Sequence, residues 1–432
     1  MRTLYKFTLL IAVLMLIASA VGCTPTKQSG PVTIRVLTMD QAAMSVDDMN
    51  AVAKEFMAAN PNVEVVMTYV PYENVHDKFV TGMASDIPAY DVVMVDVVWY
   101  DEWVKAGYLA DVTGKITPDM QKNVFPSAWN VVTRSGKAYG MPWLLDTKYL
   151  FYNKDILAQA GYNEPPKTWE ELIEMSKAIK EKGLVEYPIA WSWKQAEASI
   201  CDYTALLYGH GGKFLDASGK PVFNDAEGVA TLAWMKQTLD EGLSNPGSPT
   251  YLEGDVLNVF NSGKAAFALN WLFMYDLANF DTTSSQVTGK VGIANIPVFA
   301  GKTSQPSASV DGSSGFSVAS TSRNVDVAWQ FVAFLTSFET QMKYSSKQLP
   351  IWSTAYDGAN LKTLQDATRS NPVTVPAFKD QFQYAILRPN IAYYTEGSTA
   401  LQLAIQEALT GQKSPQEALD AAVARWVELA GK

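Results

Sequence analysis

The chain is poor in the residues that carry covalent and metal chemistry: its 432 residues include two cysteines and two histidines. If Cys23 is modified, Cys201 has no partner in the chain, so a disulfide framework is excluded and Cys201 reads as a small buried apolar residue. His76 and His210 lie far apart without zinc-type spacing, and neither a metal site nor a cofactor is expected. Basic residues are also scarce, 34 Lys and Arg against 44 Asp and Glu, for a net charge of −10. That balance excludes the electrostatic footprint of a nucleic-acid binder. No apolar run is long enough for a comfortable membrane span of about 20 residues. A phosphate-cradling glycine loop is missing too. The cluster Gly209-His210-Gly211-Gly212 is followed by Lys213 to Lys220, a hairpin-like stretch ending in Ser218-Gly219, and reads as a turn.

What the N-terminus does have is a basic start (Arg2, Lys6), an apolar run from Phe7 to Ala20, and then Ala20-Val21-Gly22-Cys23. The run has the length of a secretory h-region. The segment resembles a bacterial lipoprotein signal, which implies cleavage after residue 22, lipid on Cys23 and an extracytoplasmic location, anchored to the cell membrane or in the periplasm. A soluble form cleaved nearby is the alternative, since Ala20 stands where that pattern most often has Leu. Residues 23–30 are polar and turn-rich, as suits a linker between anchor and domain.

The remaining length exceeds the roughly 250 to 300 residues at which one core tends to split, so two domains are expected. Hydrophobic content of 48% and charged content of 18% describe a packed globular protein. Val32 to Leu37 and Val63 to Val70 read as strands around a helix opened by Ser45 and Asp48, a β-α-β unit. Val92 to Val95 is wholly apolar, as in a strand covered on both faces. Thr168 with Glu171, Asn224 with Glu227, and Ser414-Pro415-Gln416-Glu417 mark further helix starts. Strands and helices alternate, so the class is α/β.

A series of segments then becomes specific. Asp91-Val92-Val93, Trp99, Ala106-Gly107-Tyr108-Leu109, Tyr139-Gly140-Met141-Pro142 and Tyr149 to Asp155 come first. Pro165 to Leu172, Gly263-Lys264-Ala265-Ala266 and Arg388-Pro389-Asn390 follow. Their order and spacing resemble the carbohydrate-type extracellular solute-binding proteins of ABC importers, relatives of maltose- and trehalose-binding proteins. The resemblance implies a type II periplasmic-binding-protein-like fold of two lobes, each a mainly parallel sheet flanked by helices, joined by a hinge. It places crossings near Asp146, Gly289 and Tyr344. The N-terminal lobe is then 31–145 and 289–344, and the C-terminal lobe 146–288 and 345–432.

A sugar offers flat C–H patches and a rim of hydroxyls, so its site needs aromatic faces and oriented polar groups. The chain has an excess of aromatics, 12 Trp, 20 Tyr and 18 Phe, most of them expected in the core. Asp40 and Gln41 follow the first strand, in a ligand loop or a helix-entry turn. Asp96 lies just beyond the Val92 strand, at the edge where α/β folds bind ligands; capping the next helix is its alternative. Of Trp99 and Tyr100 in the same loop, Trp99 is the stacking candidate. By resemblance, Asp146 accepts sugar hydroxyls, with an ion pair to Lys148 as the alternative. Trp191 ends a strand-like run, where core packing competes with ligand contact. Trp271, with Phe273 beside it, matches the family's sugar-stacking tryptophan. Gly312 and Ser313 stand where the family has a glycine-rich loop whose backbone amides reach the ligand. Arg388, whose fork of donors suits two adjacent oxygens, and Tyr394 complete the set, with a structural salt bridge as the other use of Arg388.

The resemblance implies a binding protein, not an enzyme, and no metal ligand is assigned. It captures a small neutral mono- to trisaccharide, closes, and docks on the transmembrane subunits of an ABC permease; it is expected to be a monomer that binds no nucleic acid. A non-sugar solute (polyamine, peptide or phosphorylated polyol) on the same fold and a secreted glycan-degrading enzyme are the alternatives.

Overall fold

The computed structural model describes residues 31–41, 43–85 and 88–431. Arg2, Lys6, Cys23 and the linker, on which the export and lipidation expectations rest, lie outside the described residues.

Val92–Asp96 is buried at all five positions, as its unbroken apolar run requires of a strand covered on both faces. It is the centre of a five-stranded sheet in the order Val63–Val70, Val32–Met39, Val92–Asp96, Ser314–Val318, Met141–Leu144. The first three strands are parallel, whereas Ser314–Val318 runs antiparallel to both of its neighbours. Helix Val46–Ala59 crosses between the first two strands. Ser45 caps it, accepting from the Asp48 amide while the Asp48 carboxylate accepts from the Ser45 amide. Its Phe56 packs edge-on against Phe331 of helix Val325–Leu335, 5.3 Å between centroids.

A second sheet has the order Val291–Ala294, Lys148–Asn153, Phe267–Trp271, Ile189–Ala190. Helices Glu197–Gly209, Ala226–Asp240, Tyr394–Leu409 and Pro415–Ala430 pack together on its side of the molecule. Ser414 forms the expected capping box with Glu417. The helix expected to start at Asn224 is capped one residue later, by Asp225 accepting from the Gly228 amide, while the Asn224 side chain donates to Asp420.

In each sheet one strand runs against the rest, Ser314–Val318 in the first and Lys148–Asn153 in the second, each entering from the other lobe. The same ladders relocate a crossing. Val291–Ala294 pairs antiparallel with Lys148–Asn153, so the segment after Gly289 belongs to the second sheet and the chain returns at Ser309–Asp311. The third passage is also later than Tyr344. The Phe125 amide still bonds Ile351, and Ser353 bonds the Asn123 carbonyl, whereas Gln381, on helix Asn371–Phe382, accepts from the Ile296 amide beside the second sheet.

Three segments lie side by side between the lobes. Ser309–Val310 pairs parallel with Ala385–Ile386, and Thr147 bridges to Asp311. The Thr147 hydroxyl donates to the Val310 carbonyl at 2.8 Å, the Ser309 hydroxyl to the Lys148 carbonyl at 2.9 Å, and the Gly312 amide to the Asp146 carbonyl at 3.0 Å. Short connectors held together in this way are the kind that absorb a rotation of one lobe against the other.

Buried Gln341 secures the first lobe's end of this region: its amide donates to the Trp143 carbonyl and its carbonyl accepts from the Ile351 amide, both at 2.8 Å. Replacing it with Leu leaves the Ile351 amide unpaired. The Gln341→Leu protein should lose about 1–3 kcal/mol in denaturant unfolding; an unchanged midpoint would mean that this bond contributes nothing.

Candidate ligand-binding cleft

A cavity of about 330 Å³ opens between the lobes beside the hinge. The first lobe contributes the end of strand Val32–Met39 (Asp40, Gln41), the end of Val92–Asp96 (Asp96), and Tyr72 and Glu73 at the start of helix Tyr72–Met83. These are carboxyl ends of parallel strands, where the chain must leave the sheet and side chains converge on a crevice. Asp146 and Gly312 come from the hinge segments. The second lobe contributes Glu197 and Cys201 from one helix, Glu253 from the start of helix Glu253–Asn261, and Trp271 and Phe273; Arg388 follows the third hinge segment.

Arg388 is 1% exposed and spans both lobes. Its Nη1 donates to Glu197 at 2.6 Å, and its Nη2 to Asp96 at 3.1 Å and to the Asp311 carbonyl at 3.3 Å. The Tyr72 hydroxyl donates to the other Asp96 oxygen at 3.1 Å, and Tyr394 and Ser398 donate to Glu197. The Arg388 Nε has no partner among the described residues, nor has Nε2 of Gln41. Arg388 therefore makes the salt bridges and also lines the cavity.

Trp271 ends its strand opposite Lys148. Its indole nitrogen lies 3.2 Å from a Glu253 carboxylate oxygen, and the Lys148 ammonium sits 5.2 Å from the ring centroid. The ring approaches Gly312 so closely that a Cβ there would lie 2.3 Å from Trp271 Cζ3. Lys148 is wholly buried and pairs with Asp202 at 2.7 Å and with Ser192 at 2.9 Å, not with Asp146. The Asp146 carboxylate accepts instead from the Thr147 amide at 2.8 Å. Burial pushes its carboxyl up to about 7, against the backbone bonds from Thr147 and Leu272 and with help from Asp311 nearby.

Of the residues expected here, Asp40, Gln41, Asp96, Asp146, Trp271, Phe273, Gly312 and Arg388 converge on the cavity. Four do not line it. Trp99 is 5% exposed and lies behind Tyr72, stacked on it at 5.2 Å and on Trp103 at 5.4 Å. Trp191 is fully buried, stacked on Trp193 at 4.8 Å, with its indole nitrogen donating to Ser244. Ser313 is wholly buried and does not line the cavity. Tyr394 supports Glu197 from behind. Reading missed Tyr72, Glu73, Glu197, Cys201 and Glu253. For Tyr72 and Glu73 a signal existed, their place just past the Val63–Val70 strand; Glu197, Cys201 and Glu253 lie in the opening two turns of helices whose orientation only packing sets. Among the described residues no cluster of three or more His, Cys, Asp or Glu is arranged to hold a metal ion.

The family of bacterial extracellular solute-binding proteins matches residues 45–342. The chain belongs to that family. A probable ABC transporter-binding protein of Deinococcus radiodurans is 30% identical to this solute-binding protein over 350 residues, 78% of each chain. The arabinooligosaccharide-binding protein of Bacillus subtilis is 24% identical over 77% of each. Among solved structures, maltose-bound MalE3 of T. maritima is 28% identical and superimposes with a TM-score of 0.83 over 92% of this chain and all of its own. A Thermotoga lettingae solute-binding protein bound to α-D-tagatose, 26% identical, reaches 0.80 over 91% and 98%. The two-lobe α/β architecture and the resemblance seen from Asp91 to Asn390 are thereby borne out.

The raised Asp146 carboxyl has a thermodynamic consequence. Between its ordinary value of 3.8 and about 7, the folded solute-binding protein keeps a proton that the unfolded chain has released, so stability falls as pH rises through that window. Asp146→Asn removes the effect. The Tm difference between the variant and the parent should grow more positive from pH 4 to pH 8; a pH-independent difference would show that Asp146 titrates as an ordinary carboxyl.

Proposed function

We propose that this solute-binding protein captures a sugar or sugar alcohol of mono- to trisaccharide size in the interlobe cleft. Closure about the hinge then retains the ligand for delivery to the transmembrane subunits of an ABC importer. On this reading the protein works outside the cytoplasm, held to the membrane through lipid on Cys23. The observation that carries the reading is the pairing of Trp271 with a rim of oriented polar groups in one cavity shared by both lobes. Trp271 is held at its nitrogen by Glu253, on one face by Lys148 and at its edge by Gly312. Asp96, Asp146, Gln41 and Arg388 supply acceptors and donors around it. At about 330 Å³ the cavity is near the lower end of the usual range for small-molecule sites, about 300–1,000 Å³, which suits one or two sugar rings. Relatives above 25% identity carry maltose and tagatose, in keeping with this ligand class.

Binding without turnover predicts that the ligand is recovered chemically unchanged. In a thermal-shift screen, a ligand at 100 times its Kd should stabilise the fold by about 2.7 kcal/mol. Trp271→Ala should then weaken that ligand by at least tenfold, about 1.4 kcal/mol, without unfolding the protein. Equal affinity in calorimetry would remove Trp271 from the site, and a cleaved sugar would replace capture by catalysis.

A further inference from the structure

The cavity is far more acidic than a neutral ligand requires. Its lining holds six carboxyl groups, Asp40, Glu73, Asp96, Asp146, Glu197 and Glu253, against one cation, Arg388; with Asp146 protonated below about 7, four formal negative charges remain. The charges divide into two groups. Asp96 and Glu197 are occupied by Arg388, and Glu253 by Trp271 and Lys148. Asp40 and Glu73 have no side-chain hydrogen bond or ion pair among the described residues, and Asp146 has only backbone amides. Asp40 and Glu73 thus face the cavity as carboxylates without a cation. Carboxylates in a half-enclosed site attract a positive ligand and repel a negative one, because the low-dielectric walls weaken solvent screening.

The unpartnered donors add a second requirement. Arg388 Nε, on a side chain 1% exposed, and Gln41 Nε2 are both buried without an acceptor. A buried donor left unpaired is costly, and a ligand hydroxyl satisfies it, whereas a polyamine has no oxygen to offer. The ligand must therefore bring acceptors and a cation together. We infer that it is a polyhydroxylated cation, an amino sugar or amino-alditol, whose ammonium group is met by Asp40 and Glu73 and whose hydroxyls meet Arg388 and Gln41. This rests on the sugar-capture reading above and narrows its ligand class.

The test is calorimetry on the mature chain at pH 6.5 with matched pairs. Glucosamine is compared with glucose, 1-amino-1-deoxysorbitol with sorbitol, and 4-O-glucosyl-glucosamine with maltose, with N-acetylglucosamine and spermidine as controls. In at least one pair the amino form should bind at least about tenfold tighter than the hydroxyl form. The preference should shrink between 0.01 and 0.15 M salt, as the screening length falls from about 30 to about 8 Å. Asp40→Asn combined with Glu73→Gln, both at exposed positions, should lower amino-form affinity more than hydroxyl-form affinity and so narrow the ratio. Hydroxyl forms binding as tightly as amino forms overturn the inference and leave sugar capture standing. Spermidine alone binding, or nothing binding, overturns both. A ratio unmoved by the double substitution overturns the assignment to Asp40 and Glu73.

Discussion

The guanidinium of Arg388 joins three parts of the molecule that have no other reason to sit at a fixed spacing. These are the end of a first-lobe strand through Asp96, the first turn of a second-lobe helix through Glu197, and the hinge through the Asp311 carbonyl. A charge buried this completely is tolerated only while its counter-charges stay in place, and losing one partner leaves the other charges uncompensated at a cost of several kcal/mol. The planar fork makes the constraint directional, since two nitrogens must meet two carboxylates at once. Tyr72, Tyr394 and Ser398 then occupy lone pairs on those carboxylates. The width of the cleft follows from this arrangement.

The aromatic residues are distributed around the same constraint. In the first lobe Tyr72, Trp99 and Trp103 form a continuous stack whose outer member faces the cavity. In the second lobe Trp191 and Trp193 stack inside the core, and Trp271 alone of the three reaches the cleft. Lys148 explains why Trp271 is so firmly placed. Its ammonium is neutralised behind the ring by Asp202 and leans on the indole, while Gly312 admits the ring edge from the other lobe. A side chain at residue 312 would collide with that edge.

Much of this was legible in the chain. The wholly apolar Val92 to Val95 run could only be an inner strand, and it is. Ser45 with Asp48 and Ser414 with Glu417 are local devices whose partners lie three residues apart, so they form wherever the helix forms. Asp40 and Asp96 were legible because they stand at strand ends, where an α/β sheet opens, and Trp271 through its match to the family's stacking position. Trp99 and Trp191 were misplaced because an aromatic beside a strand end can turn either inward or outward, and local pattern does not distinguish the two. The crossing placed near Gly289 was misplaced for a related reason: which sheet Val291–Ala294 joins depends on a ladder with residues about 140 positions earlier.

The sequence by itself determined the element types and the α/β class, which follow from periodicity and capping, and its length pointed to two domains; the two-lobe arrangement and most of the cleft candidates were legible only through the family resemblance. Only the tertiary structure decided which charges are spent on one another and which remain for a ligand. Asp96, Glu197 and Arg388 are separated by about 100 to 290 residues, and Lys148 by 54 residues from the Asp202 that takes it away from Asp146. Ionic pairing depends on distance in space and on burial, and neither is written in the spacing of residues along the chain.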